Sequence, residues 1–202
     1  MSVLINASTS SGLTQTADNS GTLELQSNGT TQFTVSSTGA YGQLKSGTAV
    51  ASTSGTSIDF TGLPSWIKRV TVMLKGVSTN GSSVLQIQIG SGSVTTTGYV
   101  STSSVSATNS GQYLYATTGF VLESTGNAAA SYNRNGVMQL FLLGSNTWAA
   151  SGNIGGDSTV QLTNACAGSS PVLGGALDRV RITTVNGTDA FDAGSINILY
   201  EG

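Results

Sequence analysis

The sequence predicts an all-β protein, a two-sheet antiparallel sandwich of jelly-roll type with an extended, β-rich amino-terminal arm. Asn-Gly pairs occur four times, at 28–29, 80–81, 135–136 and 186–187, and apolar residues alternate with polar ones beside them. No window of the chain carries the i, i+3, i+4, i+7 apolar pattern of an amphipathic helix. Together these two observations favour strands joined by turns along the whole chain.

Each Asn-Gly pair predicts a tight hairpin, because both residue types tolerate the positive φ that a type I′ turn requires. The alternating apolar positions predict strands with one buried face, since side chains point to opposite sides of a strand in turn. In chain order these positions are Leu23, Leu25, Phe33, Val35, Val70, Val72, Leu74, Leu85, Ile87, Ile89, Met138, Leu140, Leu142, Val180, Ile182, Ile196 and Ile198.

Apolar density divides the chain into an arm, residues 1–44, and a sandwich, residues 45–202. The arm is rich in Ser, Thr and Asn, and its candidate anchors are Leu23, Leu25, Phe33 and Val35. These are too few to bury a core, so we expect the arm to dock on a partner or to wrap around sister copies. The sandwich contains both tryptophans and most large apolar residues, enough for two layers around one core.

The composition favours an assembled protein over a free one. The 202 residues include 59 Ser and Thr, only 7 basic and 9 acidic residues, and a net charge of −2. The charged fraction of 8% compares with about 25% in ordinary soluble domains, and low net charge gives little repulsion between copies. The scattered basic residues predict no nucleic-acid partner. No apolar run approaches the ~20 residues that span a bilayer, so no membrane insertion is expected.

Several kinds of catalytic and metal site are excluded by residue type. The chain has no histidine, so it has no Ser-His-Asp triad. The single cysteine, Cys166, forms no intrachain disulfide or cysteine zinc site, and we interpret it as a small buried residue. We predict a protein that is not an enzyme and has no cofactor.

Asp189 and Asp192 are the closest late pair of carboxylates. A glycosidase needs two such groups, and with Asn186 they offer oxygen ligands to calcium. The competing interpretation, which we favour, is a turn after Asn186-Gly187 in which the side chains bond their own backbone. Whether calcium binds there stays open at the level of sequence.

Aromatic residues supply the candidate binding site, a glycan contact. Four tyrosines lie in or near segments rich in Gly, Ser, Thr and Asn, where a ring can stack on a sugar beside hydroxyl and amide donors. The candidates are Tyr99, Tyr113, Tyr115, Tyr132 and Trp148. The alternatives are a subunit interface, where tyrosine is also enriched, and core packing, which is the favoured interpretation for Trp148.

Several stretches, taken in order, resemble a β-rich module of tailed-bacteriophage structural proteins. They are GTSIDFTGLPSWIKRVTVML at 55–74, GVSTNG at 76–81, NTWAASG at 146–152, LDRVRITTVNGTD at 177–189 and FDAGSINI at 191–198. In the arm, GTLELQSNGTT at 21–31 is similar to short repeats of phage tail-fibre stems. The resemblance implies a virion surface protein, usually a homotrimer, and carries no active-site motif.

The leading hypothesis is therefore a non-enzymatic structural protein of a phage virion. It would be a trimeric fibre or knob protein, held by its arm on other virion proteins of the capsid or of the tail and baseplate. Its sandwich would face outward from the virion surface and contact host polysaccharide during host attachment. Whether the protein is a tail fibre or a head fibre stays open at the level of sequence. The alternatives are a capsid decoration (cement) protein with no receptor role, or a monomeric carbohydrate-binding module.

Overall fold

The structure is a computed structural model that describes residues 23–27, 29–36, 39–41, 44–106, 112–125, 128–130, 132–157 and 162–202. The chain divides into two compact units, Met1–Gln43 and Leu44–Gly202. The boundary predicted between residues 44 and 45 lies one residue away, and the roles predicted for the two parts stay predictions. In the part of the chain that is described, no helix is long and apolar enough to cross a membrane.

The amino-terminal unit contains a three-stranded antiparallel meander. Its strands are β1 (Leu23–Ser27), β2 (Thr30–Ser36) and β3 (Gly39–Tyr41). Gly29 has a φ of 72° between the first two strands, so the hairpin predicted at the first Asn-Gly pair is confirmed. Asn28 itself lies outside the described residues. A bulge after Leu25 shifts the register by one residue, and Leu25 lies opposite Phe33.

The second unit is the predicted antiparallel sandwich. Its strands are β4 (Leu44–Ser46), β5 (Val50–Ala51), β6 (Ser57–Thr61), β7 (Arg69–Thr79), β8 (Leu85–Ser91), β9 (Ser93–Val94), β10 (Val100–Ser106), β11 (Gln112–Ala116), β12 (Phe120–Val121), β13 (Asn133–Gly144), β14 (Thr147–Asp157), β15 (Leu162–Ser169), β16 (Arg179–Thr184) and β17 (Phe191–Glu201). The nine-stranded sheet has the order β11-β10-β15-β14-β13-β7-β17-β4, with β5 also paired to β17. The five-stranded sheet has the order β12-β8-β16-β6, with β9 paired to β8.

One apolar core fills the space between the two sheets. The alternating residues predicted to face inward on β7 and β8 are all buried in this core. The corresponding residues of β13, β16 and β17 are also buried there, except Leu142, which is partly exposed. Trp148 is 1% exposed and packs in the same core. Period-two burial along β7 and β15 shows why these segments form strands, because alternation places one face of each against the core.

Two Asn-Gly pairs connect strands of different sheets, so the hairpins predicted at 80–81 and 186–187 are wrong. Asn80-Gly81 leads from β7 to β8, and Asn186-Gly187 leads from β16 to β17. In both cases the two strands belong to different sheets and form no hydrogen bonds with each other. Neither Asn80 nor Gly81 has a positive φ. Glycine is needed at position 81 for space, because a Cβ there would overlap the carboxylate of Asp189.

The third pair, Asn135-Gly136, lies inside β13, so the hairpin predicted there is also wrong. Gly136 has a φ of 144° and follows a shift in register between β13 and β7. This is a β-bulge, in which an extra residue bends one strand against its partner. A Cβ on Gly136 would overlap the backbone of Asn153 on β14.

The longest hairpin, between β13 and β14, turns instead at Ser145-Asn146. These two residues have φ values of 48° and 58°, the paired positive values that characterise a type I′ turn. Leu142 lies opposite Trp148 just before the turn. This turn was not predicted from the sequence, because Ser-Asn is a weaker turn signal than Asn-Gly.

A buried ion pair joins the segment after β12 to the start of β13. The Nε of Arg134 lies 2.8 Å from Oε2 of Glu123, and the two side chains are only 1% and 2% exposed. Oε1 of Glu123 accepts a hydrogen bond from the Leu85 amide at 3.1 Å. Arg134 also donates to the carbonyl of Tyr132 at 3.0 Å. Burial raises the pKa of Glu123, and the Arg134 charge opposes that shift.

Tyr99 is a structural residue of the core. It is 1% exposed, and its ring packs edge-on against Phe120 with centroids 5.0 Å apart. Its hydroxyl accepts a hydrogen bond from the Ile89 amide at 2.9 Å and donates to the Thr95 carbonyl at 3.0 Å. Burial raises the pKa of this phenol to about 12.

We expect Tyr99→Phe to lower the free energy of unfolding by about 1–3 kcal/mol, because buried backbone groups of Ile89 and Thr95 would lose their partner. The wild-type protein should also lose stability between its unfolded phenol pKa of 10.0 and its folded pKa of about 12. In that window the unfolded chain releases the proton first. Urea unfolding at neutral and alkaline pH measures both effects, with Tyr132→Phe as control. An identical pH dependence in Tyr99→Phe and wild type would contradict the expectation.

Candidate functional site

The outer face of the nine-stranded sheet is exposed over β10, β11, β14 and β15. Two rows of cross-strand neighbours run over this face from β11 to β13, and each of the five strands contributes one residue to each row. One row is Tyr113, Ser104, Ala165, Asn153 and Val137; the other is Tyr115, Thr102, Ala167, Ser151 and Gln139. Short side chains on the three inner strands therefore lie between taller ones on β11 and β13.

A groove of about 360 Å³ lies on this face, and we call it the β10–β15–β14 groove. The side chains that line it include Thr102, Ser104, Tyr113, Ser151, Asn153, Ala165 and Ala167. Tyr113 forms its wall at the sheet edge and is 83% exposed. The groove exists because alanine and serine occupy positions where larger residues would fill the surface.

The groove presents neutral polar groups that are free to bind a ligand. None of the residues that line it is charged. The hydroxyls of Thr102, Ser104 and Ser151 and the amide of Asn153 make no hydrogen bond to another residue that the structure describes. An open surface with unused donors and acceptors beside an exposed aromatic ring suits a ligand with many hydroxyl groups.

The structure brings together only two of the five candidate glycan-contact residues. Tyr113 and Tyr115 lie two positions apart on β11 and are 83% and 57% exposed. Tyr99 and Trp148 lie in the core at 1% exposed, so neither side chain is available to a ligand at the surface. The alternative of core packing, favoured for Trp148 from the sequence, describes both residues. Tyr132 is half-buried just before β13 and does not line the groove.

Buried polar atoms on β10 and β14 lack a partner among the described residues. The indole Nε1 of Trp148 and the hydroxyl of Ser103 make no hydrogen bond within the described structure. Cys166, which also borders the groove, is 4% exposed, and its Sγ donates to the Leu122 carbonyl at 3.1 Å. Burial raises its pKa to about 12, so it is the small buried residue expected from the sequence.

A second cavity of about 360 Å³ lies on the other side of β11, and we call it the β11 end cavity. Its apolar lining comes from Val84, Leu114, Ala116 and Val185. Leu114 and Ala116 pack there on a small apolar cluster separate from the main core, formed by Val84, Val121 and Ala128. Tyr115 borders this cavity, whereas Tyr113 borders the β10–β15–β14 groove.

The carboxylates of Asp189 and Asp192 accept hydrogen bonds from nearby residues. Asp189 accepts from the Ser83 amide at 2.8 Å and from the Asn186 side chain at 2.6 Å. Asp192 accepts from the hydroxyl of Ser78. Oδ1 of Asn186 accepts from the amides of residues 188 and 189, which is the backbone-bonding turn expected as the alternative to calcium. Among the described residues, no group of three acidic or cysteine side chains is arranged to hold a metal ion.

The predicted arm anchors lie on neighbouring strands of the meander. Leu23 and Leu25 on β1 are 41% and 45% exposed. Phe33 lies opposite Leu25, and Val35 lies opposite Leu23. The side chain of Val35 is outside the described part of the structure. Two of the predicted anchors are therefore largely exposed in the part of this unit that the structure describes.

No protein-family model matches the chain, and no curated protein matches it in sequence. The groove residues of β10, β14 and β15 were not among the predicted site residues. Their signal was available as alternating Ser, Thr and Ala, but it is weak in a chain with 59 Ser and Thr residues.

Proposed function

We propose that the chain is a non-enzymatic structural protein of a phage virion, held by its amino-terminal arm and displaying the sandwich to the outside. In this role the arm binds other virion proteins, and the sandwich contacts host-surface glycans. The assembled form is a homotrimer. The sequence resemblance to tailed-phage surface modules and the low charge of the chain support this proposal.

The observation that carries the attachment role is the contrast between the two units. The sandwich has a complete core, in which 27 buried residues form one cluster. The arm meander exposes Leu23 and Leu25 instead. Covering such side chains is favourable by about 1.5–3 kcal/mol each, so the arm gains stability from a partner or from sister arms, whereas the sandwich does not need one.

The strand order supports the jelly-roll type that we propose for the sandwich. A jelly roll places early and late strands side by side in each of its sheets through two Greek keys. Here β16 lies between β6 and β8, and β13, β14 and β15 lie between β7 and β10. The strands β6, β7, β8 and β10 also alternate between the two sheets.

We expect Leu25→Ser combined with Phe33→Ser to abolish incorporation into particles and to dissociate the trimer. The double change removes about 3–5 kcal/mol of apolar burial per copy if a partner covers both side chains. Incorporation is measured by immunoblotting of purified particles, and mass by light scattering against the 20.3 kDa chain. The sandwich should keep its β-sheet circular dichroism spectrum, as should a chain without residues 1–44.

The matched control is Gln26→Ser, which changes an exposed polar residue next to Leu25 on β1. It should assemble normally. Normal incorporation of the double variant or of the truncated chain would place the docking surface on the sandwich. A monomeric wild-type chain that particles also carry singly would favour the alternatives, a capsid decoration protein or a carbohydrate-binding module, and the groove is the feature that supports the latter.

A further inference from the structure

We propose that the β10–β15–β14 groove binds an extended, uncharged polysaccharide that lies along the strands, with a sugar ring stacked on Tyr113. This inference names the ligand class and the contact surface for the glycan contact in the proposed function, and it rests on that function for its biological setting. The groove itself is defined by the residues of the sandwich alone.

The direction of the ligand follows from the two residue rows. In both rows the short side chains belong to β10, β15 and β14, while the end positions are Tyr113 and Tyr115 on β11 and Val137 and Gln139 on β13. Short residues continue beyond the two rows on β14 and β15, with Ala149 opposite Ser169 at one end and Gly155 opposite Thr163 at the other. A low strip therefore runs parallel to the strands between two higher borders. A linear chain fits this strip lengthwise, whereas a compact ligand would leave most of it empty.

The charge of the ligand follows from the lining. The charged side chains that the structure describes on this sheet face belong to β7 and β17, among them Arg69, Lys75 and Glu201. None of them lines the groove. An acidic polysaccharide would bury carboxylate or sulfate groups there without a cationic partner, and such burial is unfavourable. A neutral chain meets hydroxyl and amide groups that make no hydrogen bond to another described residue.

Tyr113 is the residue that orients the sugar. The Tyr113 side chain is 83% exposed. The next residue on β11, Leu114, packs on the small apolar cluster. The backbone that carries the ring is thus held in place while the ring itself is free. Rigid aromatic side chains of this kind contribute binding area at little cost in conformational entropy.

The test uses the full-length protein, with dextran, mannan and galactan as neutral probes and alginate and polygalacturonate as acidic probes. Affinity electrophoresis should show retardation by at least one neutral polysaccharide, equal in low and high salt because no ionic contact is involved. Retardation by none of the neutral probes, or by the acidic probes equally, would overturn the proposal.

Two variants locate the site. Tyr113→Ala should weaken binding about tenfold, the effect of losing one good aromatic contact. Ala165→Phe should abolish it, because the new ring occupies the floor of the groove. Tyr132→Ala, a tyrosine outside the groove, is the matched control and should bind as wild type. An equal loss in the control would place the ligand elsewhere.

The outcome also separates this inference from the proposed attachment role. Tyr113→Ala should still enter particles normally, since the arm is unchanged. If Ala165→Phe instead dissociates the trimer and no neutral polysaccharide binds the wild-type chain, the groove is an interface between copies and the glycan inference is wrong. If the chain binds dextran but never enters particles, the glycan inference for the groove stands and the virion role is contradicted.

Discussion

Replacing Arg134 with methionine is expected to lower the free energy of unfolding by about 3–5 kcal/mol, because the carboxylate of Glu123 would be left buried without its partner. Both side chains are almost fully buried. Methionine fills much of the volume of the arginine stem, so the loss reports the missing charge more than a cavity. Urea unfolding at neutral pH, followed by tryptophan fluorescence, measures the change.

Two further variants test the physical cause. Arg134→Met combined with Glu123→Leu should be more stable than Arg134→Met alone, since an apolar pair needs no charge partner. Arg181→Met breaks the exposed pair with Asp59, whose closest atoms are 2.7 Å apart, and should cost less than about 1 kcal/mol. If Arg134→Met costs no more than Arg181→Met, the buried pair does not stabilise the fold as we infer.

Gly136→Ala is expected to cost about 3 kcal/mol or more, for two separate reasons. The φ of 144° is unfavourable for any residue with a Cβ, at roughly 1–3 kcal/mol. The Cβ would also overlap the Asn153 backbone, so β14 would have to move away from β13. Thermal unfolding and urea unfolding should both show the loss.

Gly144→Ala is the matched control for this position. Gly144 has a similar φ of 138° on the same strand, but a Cβ there would meet no atom within 4 Å. It should show only the backbone part of the effect, about 1–2 kcal/mol. Equal losses in the two variants would mean that contact with β14 contributes nothing at position 136.

The strands were predictable from the sequence because alternation reports a physical requirement, the burial of one face. Val70 and Val72 on β7 were predicted to be inward and are 0% exposed. The turns were less predictable. Asn-Gly indicates local backbone freedom, but it does not say whether the next strand pairs with the last one or crosses to the other sheet. At positions 81 and 136 a Cβ would overlap a residue distant in sequence, Asp189 at the first and Asn153 at the second.

The candidate site was only partly predictable for a related reason. Tyr99 and Tyr113 have similar sequence surroundings, yet the first is 1% and the second 83% exposed. Tyr99 precedes β10 and packs on Phe120 of the five-stranded sheet, whereas Tyr113 lies on the outer face of the edge strand β11. Neither placement is set by the residues next to the tyrosine in sequence. Ser104 and Ala165 form a groove only once β10 and β15 are paired.

The strand order also has a consequence for how the chain folds during its synthesis. The first strands of the sandwich pair with the last ones: Asp59 on β6 bonds to Arg181 on β16, 122 positions later, and Lys45 on β4 lies opposite Tyr200 on β17. Such non-local pairing slows folding, since a long loop must close before it gains any contact. While the ribosome is still adding the middle of the chain, β6 has no strand to pair with. The five-stranded sheet therefore closes only after β16 has been synthesised.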